Sequence, residues 1–152
     1  LAYLTGLDDF LNIDFIRNKL NFENLLYIGI RDIDPFEKEI IQKYNINYIK
    51  VHDVNNELNY TLHKIKNFIR DDYYHVSFDV DSLDPNVLDS TGTPVNNGLG
   101  LYQTKHILDL LYQNNIVGLD IVELNLELGN NNKSLSNLSF LFQNYFANKN
   151  KL

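Results

Sequence analysis

The chain has 152 residues, 44% hydrophobic and 22% charged, the composition of a globular domain large enough to bury a real core. A formal net charge of −7 argues against nucleic acid, which calls for clustered Lys and Arg, and is compatible with a cationic small molecule or a divalent metal. The absence of cysteine excludes a disulfide framework, a thiolate zinc site and a cysteine nucleophile, and no apolar run approaches the ~20 residues of a membrane span.

The opening segment to about Asn24 is ambiguous between helix and loop. Leu25 to Ile30 is a short apolar run of the kind a strand buried on both faces requires. Asp34-Pro35 then opens a helix, with Pro at the first helical position and Glu37 placed to complete a capping box. Phe36, Ile40, Ile41 and Tyr44 form its apolar stripe. Asn47 to Val51 reads as a second strand, and the spacing of Leu58, Leu62, Ile65 and Ile69 marks a second helix. Val76 to Val80 is the third strand. Leu101 to Tyr112 is helical, with Ile107, Leu108 and Leu111 inward, and Ile116 to Val122 is the fourth strand. Leu135, Leu138, Phe142 and Tyr145 stripe a last helix. Strands separated by helices predict an α/β fold of right-handed βαβ units around a parallel sheet. The Asn pairs, such as Asn55-Asn56 and Asn96-Asn97, read as compositional bias in loops.

The acidic residues fall at or just past the strand ends: Asp32 and Asp34 after the first, Asp79 and Asp81 at the end of the third, Glu123 after the fourth. In a parallel sheet those ends share one edge, so distant residues can converge on one pocket. Asp79 and Asp81, in His75-Val76-Ser77-Phe78-Asp79-Val80-Asp81, are hard oxygen donors suited to Mg²⁺ or Mn²⁺. The same residues also suit a turn or a helix cap. Asp84-Pro85 reads as a turn. Asp120 lies inside a strand, where a buried carboxylate needs partners, and is expected to be structural. His52, His63, His75 and His106 have no metal spacing with a carboxylate.

Ile28-Gly29-Ile30-Arg31-Asp32-Ile33-Asp34-Pro35-Phe36-Glu37, the Asp79-Val80-Asp81 run, Ser90-Thr91-Gly92-Thr93-Pro94-Val95 and Gly118-Leu119-Asp120-Ile121-Val122-Glu123-Leu124-Asn125 together, in this order, resemble the arginases of the ureohydrolase family. The likeness runs from about Leu1 to Leu128. It implies a three-layer sandwich with a central parallel sheet, and an enzyme that hydrolyses L-arginine to L-ornithine and urea. It also implies two Mn²⁺ ions, with Asp79 bridging both and Asp81 binding one. Glu123 and Thr93 would meet the substrate guanidinium, and Asp34 and Glu37 the α-amino group. Locally, Thr93 equally well satisfies its loop backbone, and Asp34 and Glu37 equally well cap a helix. A cytoplasmic homotrimer or hexamer is the assembly that the resemblance implies.

Segments that arginases carry towards the amino terminus, Gly-Gly-Asp-His and Asp-Ala-His-x-Asp, have no match here, nor does a further His. Residues 1–152 are therefore expected to be the carboxyl-terminal half of one arginase-like domain. The lack of methionine and the start at Leu1 fit an incomplete product. Alone, the chain is expected to be inactive, with an unpaired strand edge left by the missing amino-terminal half, its implied partner. Asn96-Asn97 and Leu126 depart from the family, which favours a Gly-containing pair and a proline at those places. An agmatinase or other ureohydrolase, and a non-catalytic ureohydrolase-like module that binds amines, are the competing readings. A phosphate-accepting Asp domain is disfavoured for want of a nearby Lys.

Overall fold

The computed structural model describes residues 1–7, 17–70 and 72–149. Among them, α1 (Ala2–Thr5) and a 3₁₀ turn (Phe22–Asn24) precede β1 (Leu26–Ile30). Then come α2 (Pro35–Lys43), β2 (Asn47–Lys50), α3 (Val51–Asn56), α4 (Leu58–Ile69) and β3 (Tyr74–Asp79). A second 3₁₀ turn (Val80–Ser82), α5 (Leu101–Tyr112), β4 (Ile116–Val122) and α6 (Asn131–Lys149) complete the order. The opening segment thus has a short helix at its start, and part of the ambiguous stretch lies outside the described residues.

Every strand pairing is parallel, as the alternation of strands and helices predicts. Among the described residues the parallel pairing forms two ribbons, β1 with β2 and β3 with β4. Each ribbon therefore carries unpaired edges. Strand ends also move. Val51 begins α3 and Val80 enters the 3₁₀ turn, because both strands stop where the chain must bend away from the sheet edge. Gly29, at φ 91°, forms an irregularity in β1 where pairing passes from Ile28↔Ile49 to Ile30↔Lys50. A Cβ there would also press on the side chain of Leu99 at 2.9 Å. The bulge turns the end of β1 just before Arg31.

The core joins both ribbons to the helices. Ile49, Val54 and Ile65 share one buried cluster with Phe78, Val80, Leu108, Leu141 and Phe142. Phe78 meets Phe142 edge-on, with ring centroids 5.3 Å apart, which fixes α6 across β3. Leu83, Leu88 and Leu99 from the long loop after β3 are buried in the same core. That loop is therefore part of the folded body, anchored by apolar burial at several points. Two apolar stripes fit less well than their periodicity implies. Phe36 is 70% exposed and Leu135 45% exposed, so the stripes of α2 and α6 each turn one residue to solvent, and α6 also exposes Phe146. Among the described residues no helix is long and apolar enough to cross a membrane.

Candidate active site

β3 ends at Asp79, whose side chain accepts from the Asp81 amide at 3.3 Å and so caps the 3₁₀ turn of Val80–Ser82. The tight turn keeps the two aspartates at one strand end. Thr93 Oγ1 donates to Asp81 Oδ2 at 3.0 Å, which ties the Thr91-Gly92-Thr93-Pro94 loop to the same carboxylate. Glu123, just beyond β4, is close enough to repel Asp79 electrostatically. The sheet register explains the meeting, since Asp79 pairs with Val122 and each strand delivers its next residues to the same edge.

Asp79 holds its proton up to about 6, against an ordinary 3.8. Desolvation is the main cause, followed by the hydrogen bond and charge repulsion of Asp81, with Glu123 adding repulsion. Because the folded value is raised, this group favours folding below its unfolded pKa and ceases to do so as pH climbs through about 6. Asp79→Asn should therefore make the protein more stable than wild type at pH 8, with the difference gone by about pH 4. Partial exposure screens the effect to about 1 kcal/mol or less. Denaturant midpoints that coincide at pH 8 would contradict this account of the crowding.

Glu123 has a φ of 63°, in the left-handed region that costs a non-glycine residue on the order of 1 kcal/mol or more. Its neighbours hold it there. Thr91 and Leu124 form an antiparallel bridge, and the Asn125 amide donates to the Ser90 carbonyl at 2.9 Å. The strain aims a carboxylate off the end of β4. Asn97 is also left-handed, at φ 61°, a conformation asparagine tolerates. This accounts for Asn97 at a place where the family favours a glycine-containing pair.

Asp34 and Glu37 form the full capping box of α2. The Glu37 amide donates to Asp34 Oδ1 at 2.8 Å, and the Asp34 amide to Glu37 Oε2 at 3.2 Å. The box uses one oxygen of each carboxylate. Asp120 differs from its expectation of burial: it sits on an exposed part of β4 and contacts His75 Nε2 at 2.9 Å, with both side chains more than half exposed. A strand face without a covering layer among the described residues leaves it in solvent. His75 itself lies within β3, not before it.

Two contributors lie outside the residues that the sequence singles out for a role. Arg31 bonds main-chain carbonyls of the Asp81 segment. Asn55, in α3 and not in a loop, donates to the Gly98 carbonyl at 3.0 Å and accepts from the Gly100 amide at 3.1 Å. No local pattern marks either, because their partners are remote in the chain. Asp84 does form the expected turn, accepting from Asn86, and it also accepts from Gly98.

Asp79 and Asp81 have the right chemistry for a hard divalent cation, and their mutual repulsion is what such a cation would relieve. They fall short in number. No group of three or more metal-capable side chains occurs among the described residues.

Comparison with known proteins places this arrangement in context. The model of the Arginase family matches residues 13–145. An arginase of Emericella nidulans is 38% identical over 117 residues, covering 73% of this chain and 35% of that protein. An arginase of Coccidioides posadasii is 35% identical over 136 residues, covering 82% and 41%. The chain thus spans 35–41% of the length of these curated relatives. Among solved structures, Entamoeba histolytica arginase in complex with L-ornithine superposes with a TM-score of 0.81 at 28% identity, over 93% of this chain and 50% of that one. A hypothetical agmatinase from Burkholderia thailandensis shares the fold, with a TM-score of 0.70 at 24% identity, over 84% of this chain and 38% of that one.

Proposed function

The chain belongs to the arginase family, and from that premise we propose that it is the carboxyl-terminal half of a manganese-dependent arginase domain that hydrolyses L-arginine to L-ornithine and urea. The observation that carries the reading is the convergence of Asp79, Asp81, Thr93 and Glu123 at one parallel strand edge, crowded enough to raise the proton affinity of Asp79. Asp79 and Asp81 supply part of a metal site, and the rest of the ligands come from the amino-terminal half. A bound pair of divalent ions would supply water acidic enough to act near neutral pH.

This chain's own residues bind and orient the substrate. The guanidinium is a planar fork of donors, for which the Glu123 carboxylate is a matching acceptor. The φ of 63° at Glu123, braced by the Thr91–Leu124 bridge, fixes where that acceptor points. Thr93 steadies Asp81 by donating to Oδ2, which limits the orientations open to that ligand. At the rim, Asp34 and Glu37 meet the α-amino group of arginine while still capping α2.

Agmatine lacks the α-carboxylate of arginine but keeps the amine, so the contact at Asp34 is tested on arginine itself, and the choice between the two substrates is tested by turnover. In the full polypeptide with Mn²⁺, wild type should turn over arginine well ahead of agmatine. Asp34→Asn should keep the helix cap, because Asn caps about as well as Asp. It should raise KM and lower kcat/KM for arginine by ~10-fold or more, from the loss of a hydrogen bond to a charged group worth about 1.5–3 kcal/mol. Urea release from both substrates is the readout. Faster wild-type turnover of agmatine would replace the arginase reading with the agmatinase one. Unchanged arginine kinetics in Asp34→Asn would reduce Asp34 to a cap.

A further inference from the structure

We propose that Arg31 is a positioning residue for this site, a clamp that fixes the main chain beneath Asp81 to the loop carrying Thr93. Arg31 Nη2 donates to the Asp81 carbonyl at 2.7 Å and to the Val95 carbonyl at 3.0 Å, and Nη1 donates to the Ser82 carbonyl at 3.3 Å. One planar fork thus gathers three acceptors from two segments that are separate in the chain, reaching them from a third. The Arg31 Nε is buried and has no hydrogen-bond partner among the described residues. A solvated surface arginine would not leave that donor dry, so the head group is held in place by its other bonds.

The identity of the acceptors decides what the clamp can do. An arginine aimed at the Asp81 carboxylate would form a bidentate ion pair and compete with any cation for the same oxygens. Arg31 bonds the carbonyls instead, leaving the carboxylate to Thr93 and to a ligand. The guanidinium also carries a permanent positive charge. Lysine could supply that charge but not the fork, because its donors radiate from a single nitrogen.

The bulge at Gly29 belongs to the same device. It falls just before Arg31 and bends the strand end from which the side chain departs. The far side of the loop is pinned to the same stretch, by Leu99, whose amide donates to the Ser82 carbonyl at 2.9 Å, and by Gly98, whose amide donates to Asp84 Oδ2 at 3.1 Å. Ser82 is therefore where the two pins meet. Loss of Arg31 should loosen the Asp81-to-Gly98 stretch first and leave remote elements alone.

The consequence for metal rests on the arginase reading, whereas the clamp itself rests on geometry alone, so the test has two arms. Hydrogen exchange in the full polypeptide would follow the Leu99 and Gly98 amides beside those of β2 and α4 in Arg31→Lys and Arg31→Ala. Calorimetry with Mn²⁺ would follow metal affinity in the same proteins. Both variants should exchange at Leu99 and Gly98 at least ~10-fold faster, with β2 and α4 unchanged, and should bind Mn²⁺ at least ~10-fold more weakly. Arg31→Lys that matches wild type in both arms would overturn the clamp and leave only a charge effect. Exchange that rises uniformly over the chain would overturn it too, making Arg31 an ordinary stabilising residue. Wild type that binds no Mn²⁺, with the local exchange pattern intact, would support the clamp and sink the arginase reading instead.

Discussion

Asp79→Ala should strip the full polypeptide of more of its divalent metal than Asp81→Ala does, with affinity falling at least ~100-fold in the first case. Removing even an outer-shell partner of a metal ligand costs 10–100-fold in affinity, and under the proposed arginase reading Asp79 would serve both ions and have more to lose. The two aspartates are not equivalent in this structure. Asp79 sits at the end of β3, in the register of the sheet, and suffers the repulsion of both Asp81 and Glu123. Asp81 lies in the turn beyond, with Thr93 as its hydrogen-bond partner. Asp79→Ala also removes the acceptor for the Asp81 amide, so Asp79→Asn serves as the control that keeps the turn. Metal content per chain, measured after gel filtration, is the readout. Full Mn²⁺ occupancy in both alanine variants would end the assignment of these residues as ligands.

Much of this arrangement is legible in the amino-acid sequence because it is local. The capping box at Asp34 and Glu37 is a three-residue relation, and it forms with both of its bonds. The apolar runs that make β1, β3 and β4 are short-range patterns, and each strand lies within a residue or two of its expected bounds. The placement of Asp79 near one strand end and of Glu123 just beyond another follows from the same reading, although β3 stops one residue short of the expected Val80. What stays hidden is set by distance along the chain. Arg31 follows a strand and looks like a solvated charge, yet its partners are Asp81, Ser82 and Val95. Asn55 sits among many asparagines and looks like bias, yet it bridges Gly98 and Gly100. The left-handed backbone at Glu123 is dictated by Thr91 and Leu124 across the loop, against the intrinsic preference of glutamate. The division into two ribbons likewise depends on which strands meet in space, and periodicity within a strand carries no information on that.

Gly98→Ala should be the most damaging small substitution in the loop that builds this site, although it adds only a methyl group. A Cβ at Gly98 would lie 2.4 Å from the Asp84 amide nitrogen and 2.4 Å from the Leu83 carbonyl carbon. Both are backbone atoms, so no side chain can swing aside. The surrounding main chain cannot easily yield either. Leu83 and Leu99 form a parallel bridge, Asp84 accepts from the Gly98 amide, and Asn55 donates to the Gly98 carbonyl at 3.0 Å. Overpacking of this kind costs about 1–3 kcal/mol and sometimes more. For a chain of this size that lowers Tm by roughly 2–12 °C. Because the displaced atoms lead directly to Ser82 and Asp81, metal affinity should fall along with stability. Gly92 in the same loop supplies the contrast: a Cβ there meets nothing within 4 Å, so Gly92→Ala should stay within about 0.5 kcal/mol of wild type. Calorimetric melting of both variants decides the matter. A Gly98→Ala protein that melts with Gly92→Ala would show that close backbone approach does not hold this loop in place.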